Sequence, residues 1–278
     1  MAEQNFGTTA FTEADLDFVV GEVAPTASNK ESLKLLIRED EGFRKAVVGD
    51  EKVFQRVIND DEILLKVSPA LYFEVLLRKA LRELETATHT LERTGRQSIP
   101  VFDTKEVVGL LARTEVLEYL AQMLASFTRI HSYVIPVRVR PGIRRRIRYN
   151  DMDIDSLLRF CANVDEEHRF GFYKRIADVC LFISGVFPDY TDMYRYPASG
   201  EARPMAMRRA RRSVEEYEQE GRRFYGLAEE HPAARAMQLS DVFGLLRLHF
   251  TSARKPLSFI AAHYLHTRKQ AVFRVQEP

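Results

Sequence analysis

The chain has only two cysteines in 278 residues. Cys161 and Cys180 both lie in helical patterns, and neither belongs to a CxxC pair. Disulfide scaffolds and thiol-rich metal knuckles are therefore excluded, and the expectation is two buried free thiols in a reducing cytoplasm. Uninterrupted apolar runs are short as well. None approaches the roughly 18 residues that a spanning helix needs, so no membrane partner is expected. The opening MAEQNFGTTAFTEADLDF carries neither a basic stretch nor an apolar core, so no secretory leader is expected there.

Catalytic signatures are missing too. No GxGxxG, GxxxxGK[ST], HExxH, GxSxG or CxxC occurs. The seven histidines are scattered. His263 and His266 stand three apart, with His249 one helix earlier, and spacing supplies no third ligand. Glu166-Glu167-His168 is equally nonspecific. Asp151, Asp153 and Asp155 have the DxDxD spacing of a calcium loop. Loop positions 6 and 12 are Ser156 and Ala162, where an EF-hand needs glycine and glutamate. These acids are expected to serve a helix N-terminus. No metal, no cofactor and no catalytic residue is expected, and the reading leans away from an enzyme.

What is present is an ordinary globular composition, 45% apolar and 29% charged. Apolar residues recur at helical spacing through most of the chain. Thr12 with Asp15 forms a capping box, and Ser28 is expected to cap the following helix. Ser68-Pro69 opens a helix whose stripe includes Phe73, Leu77, Leu81, Leu84, Thr88 and Leu91, expected to run to about Gly95. Asp103 is expected to cap a helix reaching His131. Further helices are expected at about 155–163, 167–187, 205–230 and 238–252, with a last one starting at Pro256. Residues 189–204, rich in Tyr, Pro, Gly and Ser, are expected to form a long surface loop or hinge. Asp178, on a helix with a buried pattern, is expected to be an ion-pair partner. The expected class is all-α, a multi-helix globular bundle with one Arg-rich β-hairpin inserted near 134–149. Residues 1–66 are expected to form a short-helix region packed on a main domain, 67–278.

That hairpin, YVIPVRVRPGIRRRIRY from Tyr133 to Tyr149, changes the apolar period from 3.6 to 2. It holds Arg138, Arg140, Arg144, Arg145, Arg146 and Arg148 and no acid. Pro141-Gly142 favours a type II turn. Loop length decides which side chains share a face. A two-residue loop sets Val137 against Arg146 and mixes apolar with cationic on both faces. An odd loop sets Val139 against Arg145 and Val137 against Ile147, and collects Val137, Val139, Ile147 and Tyr149 on one face. The odd loop is expected. The arginine face then repels itself and needs an anionic answer. A second basic cluster, Arg208, Arg209, Arg211 and Arg212, falls in the first half of the expected 205–230 helix.

Net charge is only +1. Residues 1–100 carry 18 acids against 13 Lys and Arg, and the remainder 22 against 28. Two functional expectations follow. One is a helical interaction or scaffold protein whose arginines meet an acidic protein surface or a second subunit. The other is a nucleic-acid-binding accessory protein gripping DNA or RNA phosphates, as the wing of a winged helix does. A winged helix needs a short recognition helix before its wing, and a long apolar helix stands there instead.

Leu181 to Tyr190 (LFISGVFPDY), Ala253 to Leu265 (ARKPLSFIAAHYL) and Glu118 to Thr128 (EYLAQMLASFT) resemble an uncharacterised family of bacterial all-helical proteins, over roughly residues 65–268. The resemblance implies a helical fold and no activity, cofactor or site residue.

Overall fold

The computed structural model describes residues 11–94, 97–129, 132–140, 143–188, 212–266 and 268–273; in the arginine hairpin it describes the backbone. The fold is all-α with small hairpin insertions. The chain divides into two compact units: Met1–Ser126 with Lys255–His266, and Phe127–Arg254 with Thr267–Pro278.

Unit one begins as its cap residues dictate. Thr12 and Asp15 form the capping box of helix Glu13–Val23. Asp15 is fully buried, and its second oxygen accepts from the backbone N–H of Ser68 at 2.7 Å. Ser68 caps helix Pro69–Thr86 through Leu71. Two helix starts far apart in sequence are thus joined by one carboxylate, each cap contributing about 1 kcal/mol. Short helices Lys30–Glu39, Glu41–Val48, Glu51–Asn59 and Ile63–Lys66 lie between. The cap of the first of these is Asn29, not Ser28, because the amide oxygen of Asn29 is the one that reaches Ser32 N. Helix Pro69–Thr86 buries Leu71, Phe73, Leu76, Leu77, Ala80 and Leu84 and packs against helix Thr114–Ser126.

Three expectations here are corrected. The Pro69 helix stops at Thr86 rather than Gly95; beyond Ala87 the chain bends and the β-branched Thr90 opens an antiparallel hairpin, Thr90–Thr94 with Gln97–Val101. The helix expected from Asp103 to His131 is broken into Thr104–Leu111 and Thr114–Ser126. Asp103 stands at the cap position but makes no cap bond, since its carboxylate is bound by Lys255 and Thr90.

Unit two is built on the packing of helix Phe170–Val186 against Val214–Glu230, with Ser240–Leu248 beside the latter. Tyr173, Ile176, Ala177, Cys180, Tyr217, Phe224 and Tyr225 are buried, and both cysteines are free and buried. Ser213 and Glu216 form a capping box for Val214–Glu230, so Arg212 precedes that helix instead of lying in its first half. Pro256 sits inside helix Phe250–His263 rather than at its start. The first residues of that helix belong to unit two, and Lys255 onward to unit one. The surface loop expected at 189–204 lies outside the described residues.

Candidate functional site

The arginine hairpin pairs Ser132–Arg140 with Ile143–Asn150, antiparallel. Partners are Tyr133 with Tyr149, Val134 with Arg148, Ile135 with Ile147, Pro136 with Arg146, Val137 with Arg145 and Arg138 with Arg144. At the tip Arg140 pairs with Ile143, and the register shifts between Arg138 and Arg140. Only Pro141 and Gly142 therefore separate the last pair, which corrects the expected odd loop and the partners expected from it. Their turn type lies outside the described residues.

The parity expected of the strands survives for another reason. Val139 is the extra residue of a bulge, and one extra residue converts the register of a two-residue loop into that of an odd one. Odd-numbered positions oppose odd-numbered ones below the bulge, as expected, but shifted by two residues. The shift has an electrostatic consequence. The expected register opposed arginines twice, Arg138 with Arg146 and Arg140 with Arg144. The observed one opposes them once, at Arg138 and Arg144. Each opposed like-charge pair costs several tenths of a kcal/mol, so the observed register repels itself less than the expected one.

The feet of the hairpin are held by a residue that the sequence did not single out. Arg175, on helix Phe170–Val186, donates to the Asp151 carboxylate at 2.7 Å and to the Asp151 carbonyl at 3.1 Å. Its guanidinium also lies over the Phe127 ring, 4.0 Å from the centroid. Phe127 stands just before the first strand and Asp151 just after the second, so one planar cation grips both ends of the insertion. Phe127 in turn stacks on Phe182 at 4.1 Å. Arg175→Ala is expected to lower the stability of the full chain by about 1–2 kcal/mol, because it removes a charge-assisted hydrogen bond and a cation–π interaction together. Urea unfolding checks this, and amide exchange in residues 132–150 should accelerate more than exchange in helix Val214–Glu230.

The neighbouring acids are allotted separately, each to its own local task. Asp153 caps helix Ile154–Ala162 through Ser156, as a helix N-terminus requires. Asp155 accepts from Arg212 at 2.5 Å. That places Arg212 against the helix that follows the hairpin. Arg208, Arg209 and Arg211 lie outside the described residues. Among the described residues no group of three or more His, Cys, Asp or Glu is arranged to hold a metal ion. His263 stacks on Phe259.

Three further charged clusters are buried or half-buried. Asp178 is the ion-pair partner expected: it accepts from Lys174 at 2.6 Å and from the Tyr225 hydroxyl at 2.9 Å. Burial pulls the Lys174 ammonium below its usual range, opposed by the Asp178 carboxylate. Burial also pushes the Cys180 thiol far up, which leaves it inert as a nucleophile. In unit one Arg44 bridges Glu74 at 2.8 Å and Glu118 at 3.2 Å, and Arg78 binds Glu74 at 2.6 Å. Burial raises the Glu118 carboxyl above the ordinary range despite Arg44 beside it. Lys255 donates to Thr90 at 3.1 Å and to Asp103, tying the first hairpin to a helix far along the chain. Burial alone would raise the Asp103 carboxyl; the hydrogen bonds from Lys255 and Thr90 outweigh it and hold it low. Each cluster pairs its cations with its own carboxylates, so these groups work as internal fasteners.

No protein-family model matches the chain, and no curated protein or solved structure matches it either. No helix among the described residues is long and apolar enough to cross a membrane.

Proposed function

We propose that this is a non-enzymatic interaction protein whose arginine hairpin engages an acidic protein surface or second subunit. The observation that carries the reading is the concentration of charge. Six arginines stand between Arg138 and Arg148, no acid stands between Tyr133 and Tyr149, and the strand register opposes Arg138 to Arg144. Guanidinium groups so placed are answered by carboxylates, which they bind bidentately. Anchorage supports the reading as well, because Arg175 fixes both feet of the hairpin to a buried helix. The whole chain is nearly neutral, at +1, which favours a local patch-to-patch contact over a field directed at a long polyanion. The same guanidinium chemistry grips phosphate, and the form of a wing keeps DNA or RNA as the second reading.

Anisotropy of labelled poly-glutamate and of labelled duplex DNA separates the two. With the full chain, poly-glutamate binding is expected at low salt and is expected to weaken about tenfold or more as ionic strength rises past the range where the Debye length is ~10 Å. Arg144→Glu/Arg146→Glu should abolish most of it. Tighter hairpin-dependent binding of the duplex, with a salt slope of about 0.9 per phosphate, would transfer the function to nucleic acid. Hairpin-independent binding of both probes, or none, would sink both readings.

A further inference from the structure

Opposed residues of an antiparallel pair share a face. The register of the arginine hairpin therefore places Arg138, Arg144, Arg146 and Arg148 at the positions of one face. Tyr133, Ile135, Val137, Ile147 and Tyr149, with Arg145, take those of the other. Among the described residues no third strand joins this pair, so neither long edge is taken by another strand. The two edges differ. Strand Ser132–Arg140 contains Pro136, and proline is tolerated in a ladder where its missing N–H would face outward. The outer edge of that strand lacks a donor at its centre. Strand Ile143–Asn150 contains no proline. Antiparallel pairs alternate between those that exchange hydrogen bonds and those whose backbone groups turn away. Pro136 opposite Arg146 makes a pair of the second kind, so Arg144, Arg146 and Arg148 turn their N–H and C=O groups to the free side of their strand. The same three residues stand at alternate positions, about 6.8 Å apart along the strand.

We infer that the outer edge of Ile143–Asn150 takes up an extended acidic segment of a partner protein as a third strand, with acids at alternate positions opposite Arg144, Arg146 and Arg148. This rests on the reading of the hairpin as an acid-seeking contact and names the form of the acid. A phosphate backbone answers the N–H groups and arginines of such an edge but leaves its C=O groups without donors. A peptide strand supplies both donors and acceptors. Its alternate residues repeat with the spacing of the arginines, whereas acids along one helix face repeat at about 5–6 Å and fall out of step. A second copy of the same strand is turned away, because arginine would oppose arginine. The intervening residues of the incoming strand fall on the face of Ile147 and Tyr149, so apolar ones suit them.

Anisotropy of two labelled peptides of one composition tests this on the full chain at low salt. One alternates, Glu-Val-Glu-Val-Glu-Val-Glu; the other groups its acids, Glu-Glu-Glu-Glu-Val-Val-Val. The alternating peptide is expected to bind about tenfold tighter, the gain from one or two main-chain hydrogen bonds. In the added strand the amides of its glutamates face Arg144, Arg146 and Arg148. N-methylation of its two central glutamates should therefore remove the advantage, and N-methylation of its valines should leave it. Arg144→Glu/Arg146→Glu should lose the acidic peptide and gain an alternating Lys-Val peptide, which also shows that the edge is still formed. Equal binding of the two acidic peptides, or indifference to which amides are methylated, overturns the added strand and leaves the interaction reading standing. Binding of neither acidic peptide overturns both. Duplex DNA bound more tightly than either peptide, through the same arginines, overturns the added strand in favour of phosphate.

Discussion

Asp178→Ala is expected to remove about 3–5 kcal/mol of stability, the range for taking one partner from a buried ion pair. Asp178 is fully buried; it accepts from Lys174 at 2.6 Å and from Tyr225 at 2.9 Å. Truncation leaves the Lys174 ammonium in the interior without its nearest counter-charge and removes the carboxylate that accepts from the Tyr225 hydroxyl. Lys174 already binds its proton less tightly than usual because it is buried. Without Asp178 it should lose that proton more readily, so the variant should recover part of its stability as pH rises. A double substitution, Lys174→Met/Asp178→Leu, replaces the pair with apolar volume and should cost far less than the single change. Urea unfolding of the three proteins decides the matter. Equal losses for single and double variants would mean that packing, and not the pair, sets the cost.

Gly221→Ala should also destabilise, although alanine is the better helix former by about 1 kcal/mol. Gly221 lies in the middle of helix Val214–Glu230. A Cβ there would run into two atoms of the Phe250 ring, the farther of them at 2.6 Å, and stand 3.1 Å from the Cys180 Cβ. The ring is fully buried and has little room to retreat. Overpacking of this kind costs about 1–3 kcal/mol, and the severity of the approach puts the expected net loss at about 2 kcal/mol after the helix gain. Phe250→Ala removes the obstacle. In that background Gly221→Ala should be neutral or stabilising, a coupling of about 2–3 kcal/mol that a double-mutant cycle measures directly. Additive effects would show that the ring is not the obstruction.

Much of this molecule is legible in short windows of sequence. Thr12 with Asp15 and Ser68 with Pro69 mark helix starts because caps act over three residues. Asp178 is legible as a partnered carboxylate because Lys174 stands one helical turn before it. The all-α class follows from apolar spacing over most of the chain. The hairpin between Thr90 and Val101 is less legible: its Leu91 fits the helical stripe of the segment before it, and local pattern favours extending the helix. What holds it is Lys255, bound to Thr90 and Asp103 across more than half the chain. Local spacing carries no information about such a partner.

The arginine hairpin divides along the same line. By itself the sequence determined two antiparallel strands, their parity and a dense positive charge, because alternation and composition are local properties. The bulge at Val139, which lets a two-residue loop keep that parity and leaves a single opposed arginine pair, shows only in the paired strands. Tertiary structure decided the mount: Arg175 reaches Phe127 and Asp151 only once helix Phe170–Val186 has folded beside them. Charge is written residue by residue, whereas the cation that grips both feet of an insertion is chosen by the packing of elements distant in sequence.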